Sequence, residues 1–283
     1  MSNLLDFHQR LVRLRLRAQG FRTRYAGEAG ERMHRYEYHR GGGSRQYLVL
    51  HGLGTHASAY APLLTRLKRR ADRVIAPELL GHGFSEKPTP RLPPSEVFAR
   101  MARTLDQIID EPLTVVGTSL GGAIALKYAL SSPHKVARLI LVSPAGAPLT
   151  PEGFEKIRSH FTLNNAADGR AFIDRLFHHP PWYRPLIGGS VQRMLGRSAV
   201  KDFLSPATKR EMFTPETVAP LVPPTLLIWG RSEKLLPREC LEWFRAHMPD
   251  HVRFEHPERF GHSPHLEWPN ELATMITDFA ETE

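Results

Sequence analysis

The sequence predicts an α/β fold with a mostly parallel central sheet flanked by helices. Apolar runs, most of them four or five residues long, recur along the 283 residues, which is typical of strands buried on both faces of a parallel sheet. Stretches with helical periodicity separate these runs, and such alternation indicates right-handed βαβ crossovers. The length suits one large α/β domain with an insertion, or two small domains.

The first forty residues are predicted to form one helix and two edge strands. The helix covers residues 3–17, where apolar side chains recur at spacings of three and four with arginines between them: Leu4, Phe7, Leu11 and Leu14. The strands are predicted at residues 21–25 and 33–39, and three consecutive glycines at 41–43 predict a turn.

The remaining strands and helices follow in alternation. Apolar runs predict strands at 46–50, 74–76, 113–116, 139–142, 225–229 and 252–254. Helical patterns lie at 57–70, 94–110, 120–131, 238–247 and 265–281. The alternation breaks between about 147 and 220, and an insertion of this size is typical of a lid. We therefore predict a helical cap at 147–220, inserted after the sixth strand, and a core domain of 1–146 with 221–283.

Composition excludes several classes of protein. Hydrophobic residues make up 41% and charged residues 24%, as in globular domains and unlike disordered ones. One cysteine, Cys240, allows neither an intramolecular disulfide nor a cysteine-based metal cluster, which fits a reducing cytosol. No apolar run is long enough to span a bilayer, and arginines interrupt any signal-peptide core. We expect a cytoplasmic protein without metal or cofactor.

The net charge of +9 is concentrated near the N-terminus, where residues 1–40 hold nine arginines and four acids. Because these segments lack a nucleic-acid-binding motif, no nucleic-acid partner is expected, and an arginine-rich solvated surface is the simplest interpretation. The basic amphipathic N-terminal helix also fits peripheral contact with a lipid surface.

One five-residue motif predicts a nucleophile. Residues 117–121 read Gly-Thr-Ser-Leu-Gly, a G-x-S-x-G pattern that directly follows a predicted strand and precedes a predicted helix, as the motif requires. Glycines permit a turn this sharp, and the helix N-terminus favours negative charge beside the serine. The sequence therefore predicts Ser119 as the nucleophile, against the simpler interpretation of a plain strand–glycine–helix turn.

A serine nucleophile needs a base, and the base needs a carboxylate. His262 follows the last predicted strand, so its loop reaches the carboxyl edge of the sheet to which Ser119 also points. His265 is expected to face outward, and His51 and His82 are expected to be structural. Glu233 is the only carboxylate in the loop 230–237 that follows the strand 225–229. The order Ser…acid…His fits a hydrolase on this scaffold.

The oxyanion of a tetrahedral intermediate needs backbone N–H donors. One is predicted from Leu120, directly after the nucleophile. The second is predicted from Leu53, in the loop His51-Gly52-Leu53-Gly54 that follows the strand 46–50. Each such donor typically contributes roughly 3 kcal/mol to transition-state stabilisation.

Five short segments of the sequence, taken in order, resemble the recurrent motifs of the α/β-hydrolase superfamily. The segments 51–54, 78–85, 117–122, 229–233 and 261–264 each match a recurrent motif, with Glu in place of the usual Asp at 233 and 78. Glu78 is expected to brace its loop. Residues 139–148 and 171–185 are most similar to bacterial family V lipases and monoacylglycerol-lipase-like esterases. The resemblance implies the α/β-hydrolase fold and a two-step acyl-enzyme reaction on Ser119.

The predicted cap suggests the substrate. It is rich in large apolar side chains, of which some pack its own core and others are predicted to bind the acyl chain: Phe172, Leu176, Phe177 and Trp182. We expect medium-chain acyl esters or monoacylglycerols. Two alternatives stay open: C–C bond hydrolysis of a ring-cleavage dienoate, for which Arg158, Arg170, Arg175 and Arg184 are candidate carboxylate clamps, and a non-catalytic binding protein.

Overall fold

The central feature is an eight-stranded sheet, and its order confirms the predicted fold class. The structure is a computed structural model that describes residues 4–88, 92–196 and 211–282. The strands are β1 Arg22–Ala26, β2 Met33–His39, β3 Gln46–Leu50, β4 Arg73–Pro77, β5 Leu113–Thr118, β6 Val136–Val142, β7 Thr225–Ile228 and β8 Arg253–Glu255. Their order is β1-β2-β4-β3-β5-β6-β7-β8, and only β2 runs antiparallel to its neighbours β1 and β4. Thus β2 is not the edge strand that its sequence predicts, because β1 covers it.

Helices cover both faces of the sheet, because alternate residues of its strands point to opposite sides. The helices are α1 Leu4–Ala18, α2 Ala61–Leu67, α3 Pro94–Ile108, α4 Leu120–Ser131, α5 Pro151–Phe161, α6 Ala166–Leu176, α7 Arg184–Leu195, α8 Pro215–Val218, α9 Arg238–His247, α10 Pro264–Glu267 and α11 Pro269–Glu281. Short 3₁₀ turns occupy Ala57–Tyr60 and Pro133–Lys135. Leu48 and Leu50 of β3 pack with α3, α4 and α9, while Tyr47 and Val49 pack with α1, α2 and α11.

Helices α5, α6 and α7 lie between β6 and β7, where the sequence predicts a cap. Helices α6 and α7 pack against each other. Their apolar side chains form a small hydrophobic cluster of their own with one residue from the loop after β7: Phe172, Ile173, Val191, Leu195 and Leu235. Residues 197–210 of the predicted cap lie outside the described residues, and the domain boundaries stay a prediction.

Helix α1 is attached to the sheet through a face other than the predicted apolar one. Val12 and Leu16 are buried, whereas Phe7, Leu11 and Leu14 are 57%, 39% and 59% exposed. The helix contacts α2, α7 and the turn before α2. No helix within the described parts of the chain has both the length and the apolar character that crossing a membrane requires.

Candidate active site

Ser119 lies at a strained turn between β5 and α4. Its φ of 56° and ψ of −120° belong to a region that costs a non-glycine residue about 1–3 kcal/mol. The turn is possible because its neighbours are glycines. A Cβ on Gly117 would lie 2.3 Å from the carbonyl oxygen of Gly121, and one on Gly121 would lie 2.3 Å from that of Leu50. The chain therefore presses α4 against β3, and Ser119 is held at the carboxyl edge of the sheet.

Glu233 and His262 are brought together by the loops that follow β7 and β8. Their Oε2 and Nδ1 atoms are 2.7 Å apart, and both side chains are almost fully buried. The other carboxylate oxygen, Oε1, accepts hydrogen bonds from the backbone N–H groups of Leu235 and Leu236, at 2.8 Å and 3.1 Å. The longer glutamate side chain thus fits the loop, and its carboxylate is satisfied at both oxygens.

The electrostatics of this pair favour an ionised carboxylate. Burial alone would raise the pKa of Glu233, but the interaction with His262 and the hydrogen bond from the Leu236 N–H outweigh it. The pKa of Glu233 therefore lies below its ordinary value. A carboxylate ionised in this position holds Nδ1 of the imidazole as the donor and leaves Nε2 available for proton transfer.

The loop after β3 offers a backbone N–H beside Ser119. The N–H of Gly52 donates to the Tyr60 hydroxyl at 3.3 Å, and the N–H of Gly54 donates to Nε2 of His82 at 3.2 Å. Between them, the N–H of Leu53 has no acceptor within residues 4–88, 92–196 and 211–282, and the same holds for the N–H of Leu120. Leu120 directly follows Ser119, and Leu53 lines the same cavity as Ser119, so both N–H groups stay candidates for the predicted oxyanion donors.

Two buried histidines and a glutamate brace this loop, in the structural roles expected from the sequence. Nδ1 of His51 lies 2.8 Å from the Gly52 carbonyl oxygen, and its Nε2 accepts the N–H of Leu79 at 3.0 Å. Glu78 accepts the backbone N–H of Phe84 at 2.6 Å and lies 3.0 Å from Nδ1 of His34. The turn that carries His82 is fixed in this way, and His82 in turn holds Gly54.

A cavity of about 990 Å³ opens over Ser119 and His262. Its volume lies at the upper end of the range for small-molecule sites. Helices α6 and α7, with Phe177 just after α6, supply an apolar wall. It includes three of the predicted substrate-binding residues, Phe172, Leu176 and Phe177, and Leu53 lines the cavity as well. Helix α1 also lines the cavity, with Phe7, Leu11 and Arg15.

Two expectations about individual side chains are wrong. Trp182 is 82% exposed and does not line the cavity; it packs edge-on against Tyr183, which does line it. His265 does not face outward: it is buried and stacked on Tyr60, with 3.8 Å between ring centroids. The short helix α10 turns His265 toward the cavity before α11 begins, whereas the sequence suggests one continuous helix.

Two segments of the predicted cap contact the loops that carry Glu233 and His262. The N–H of Ser263 donates to the Leu176 carbonyl oxygen at 2.9 Å, next to His262. Nδ1 of His160 in α5 lies 3.1 Å from the Leu235 carbonyl oxygen, next to Glu233. Sequence periodicity gives no signal for these contacts, or for the Tyr60–His265 stack, because they join distant segments. The described residues hold no group of three His, Cys, Asp or Glu that could bind a metal ion.

Comparison with known proteins identifies the family. Residues 47–274 match the model of the alpha/beta hydrolase family, and the chain belongs to that family. An uncharacterized protein of Mycobacterium tuberculosis is 38% identical over 263 residues, covering 83% of this chain and 75% of that protein. The 2-hydroxymuconate semialdehyde hydrolase of Pseudomonas sp. strain CF600 is 27% identical over 267 residues, covering 87% and 90%.

The fold is shared with solved structures. The crystal structure of a bacterial membrane phospholipase A superimposes with a TM-score of 0.80 and 22% identity, covering 96% of this chain and 90% of that one. At this identity the likeness concerns the fold alone.

Proposed function

We propose that the protein is a serine hydrolase of carboxylic esters, acting through an acyl-enzyme on Ser119. The observation that carries the proposal is the convergence of three elements at one cavity. These are a serine on a strained strand-to-helix turn, a buried Glu233–His262 pair and two backbone N–H groups without acceptors.

The proposed reaction uses these residues in turn. Oγ of Ser119 attacks the ester carbonyl carbon as Nε2 of His262 takes the hydroxyl proton. The resulting oxyanion accepts hydrogen bonds from the backbone N–H groups of Leu53 and Leu120. The tetrahedral intermediate then expels the alkoxide, which leaves as the alcohol with the proton from His262. A water molecule that gives its proton to His262 attacks the acyl-enzyme, and the acid departs as Ser119 recovers its proton.

The apolar wall of the cavity favours an acyl chain over a polar acid. Phe172, Leu176 and Phe177 lie on the same cavity as Ser119, and burial of each CH₂ contributes about 0.8 kcal/mol to binding. Helices α5, α6 and α7 serve as the cap in this proposal, and the substrates are medium-chain acyl esters or monoacylglycerols, as in the lipases and esterases that the chain resembles.

C–C bond hydrolysis has less support from the cavity. A dienoate substrate carries a carboxylate that needs a cationic clamp in the cap. None of the four candidate arginines of the cap lines the cavity. Arg184 pairs with Asp174, Arg158 with Glu155, and Arg175 donates to the Ala171 carbonyl oxygen.

The test is hydrolysis of p-nitrophenyl esters over a series of acyl lengths. We expect kcat/KM to rise from acetate to medium chains and then level off, and Ser119→Ala to abolish turnover. Phe172→Ala is expected to flatten the chain-length dependence while short esters still react. Equal activity of Ser119→Ala on these esters, or turnover of dienoates alone, would refute the proposal.

A further inference from the structure

We infer that α1 and the first turn of α7 form a docking surface for an anionic lipid bilayer at the entrance of the cavity. The surface is defined by Phe7, Leu11 and Leu14 of α1 together with Trp182, just before α7, and Leu186 in the first turn of α7. All five are exposed, by between 39% and 82%. The identity of the substrate that passes from the bilayer into the cavity rests on the proposed function. The binding of this surface to the bilayer does not.

The two exposed groups are connected through the cavity. Phe7 and Leu11 line it, and so does Tyr183. Trp182 packs edge-on against Tyr183, with 5.8 Å between ring centroids. Helix α1 contacts α7, and both exposed groups border the same cavity through Phe7, Leu11 and Tyr183. Leu14 extends the stripe by one helical turn from Leu11.

The positive charge of α1 favours an anionic lipid surface as the partner. Arg10, Arg15 and Arg17 of α1 are exposed, and Arg17 donates to the Thr23 hydroxyl at 3.0 Å rather than to a carboxylate. Helix α1 thus presents three exposed arginines along an exposed apolar stripe, the pattern of a helix that lies in the headgroup region of anionic lipids. An exposed tryptophan beside it is suited to the same region because its ring is amphipathic.

Docking there gives the cavity a direct supply of substrate. The rim that meets the bilayer is also the rim of the cavity that contains Ser119. An amphiphilic ester can pass from the lipid interface to the apolar wall without exposing its chain to water, which removes the hydrophobic cost of that transfer.

Binding is measured first, by flotation of the full chain with vesicles of phosphatidylcholine, with and without phosphatidylglycerol, at low and high salt. Catalysis is removed with Ser119→Ala, so that binding is read alone. We expect binding to anionic vesicles at low salt, with each neutralised arginine lowering partitioning about fivefold. Thus Arg10→Gln should weaken binding about fivefold and Leu14→Gln by a similar or larger factor; neither residue lines the cavity.

Two matched controls lie elsewhere on the molecule. Arg103→Gln removes an exposed charge on α3, which packs on the opposite face of the sheet from α1. Val222→Gln removes an apolar side chain, 72% exposed, next to the amino end of β7. Both should bind like the parent. Brominated lipids should quench the fluorescence of Trp182, and Trp182→Phe should lose that quenching.

The outcomes separate this inference from the proposed function. Failure of the parent to bind anionic vesicles, equal losses in the controls, or self-association through α1 without lipid would overturn the docking surface. Vesicle binding by a chain that hydrolyses no ester would sustain the docking surface and refute the proposed function. With both intact, Arg10→Gln and Leu14→Gln should keep hydrolysis of a dispersed short ester and lose hydrolysis of esters embedded in anionic vesicles.

Discussion

Glu233 holds His262 through a 2.7 Å contact between Oε2 and Nδ1, and it does so with a side chain one methylene longer than the usual aspartate. The extra length is taken up by the loop, whose Leu235 and Leu236 N–H groups both bind Oε1. The same carboxylate therefore orders its own loop and orients the imidazole.

Replacing the carboxylate should reveal its role in orientation. Glu233→Gln keeps the shape but can donate from its amide to Nδ1, which favours the wrong imidazole tautomer. We expect kcat for ester hydrolysis to fall about 10³–10⁴-fold with KM little changed. Glu233→Asp keeps the charge but cannot bridge both the loop N–H groups and His262, so an intermediate loss is expected. Equal rates for Glu233→Gln and the parent would contradict this role.

His82 should affect kcat for ester hydrolysis indirectly, by holding the loop that carries Leu53. His82→Ala removes the acceptor of the Gly54 N–H, and a buried N–H without a partner costs about 1–3 kcal/mol. Part of that cost should appear as misplacement of the neighbouring Leu53 N–H. Steady-state kinetics should therefore give a kcat about tenfold lower with KM nearly unchanged. His82→Gln, which retains an acceptor, should recover much of the rate; an equal loss in both variants would indicate a packing role only.

Gly121 should be essential for stability. In Gly121→Ala the new methyl group would lie 2.3 Å and 2.5 Å from the carbonyl oxygens of Leu50 and His51, so α4 must move away from β3. We expect the free energy of unfolding to fall by about 3 kcal/mol or more in urea titrations. Gly189→Ala in α7 is the matched control, because its methyl group would have only ordinary contacts at 3.6 Å or more. Helix propensity should make that variant neutral or more stable.

His265 should make the fold sensitive to acid. Burial, and then repulsion from His262, lowers the pKa of His265 from 6.5 to about 3. The unfolded chain therefore binds this proton first, and the free energy of unfolding should fall by up to about 1.4 kcal/mol per pH unit as the pH drops from 6.5 toward 3. His265→Phe keeps a ring against Tyr60 and should unfold at lower pH. His134→Phe, at an exposed histidine, should leave the acid midpoint unchanged.

Local sequence patterns predict most of the fold because they report burial along single elements. Strand β3 and the helices α4 and α9 lie where the apolar runs and helical patterns predict them. The turn at Ser119 was also predictable, since a tight approach of α4 to β3 requires glycine at 117 and 121.

Contacts between distant segments account for what the sequence could not reveal. His265 is buried because it lies in the short helix α10, which ends after four residues, and a separate helix, α11, begins at Pro269. Trp182 is exposed, whereas its neighbour Tyr183 lines the cavity. The buried face of α1 is set by Val12 and Leu16, two positions that do not belong to the most regular apolar repeat of the helix.

The most direct test of Ser119 as the nucleophile is intact-mass analysis after reaction with a fluorophosphonate. The proposed site predicts a single adduct per chain, located at Ser119 by peptide mapping, absent in Ser119→Ala and formed much more slowly in Glu233→Gln. A folded chain that forms no adduct, or an adduct at a different serine that survives Ser119→Ala, would contradict the assignment of Ser119 as the nucleophile.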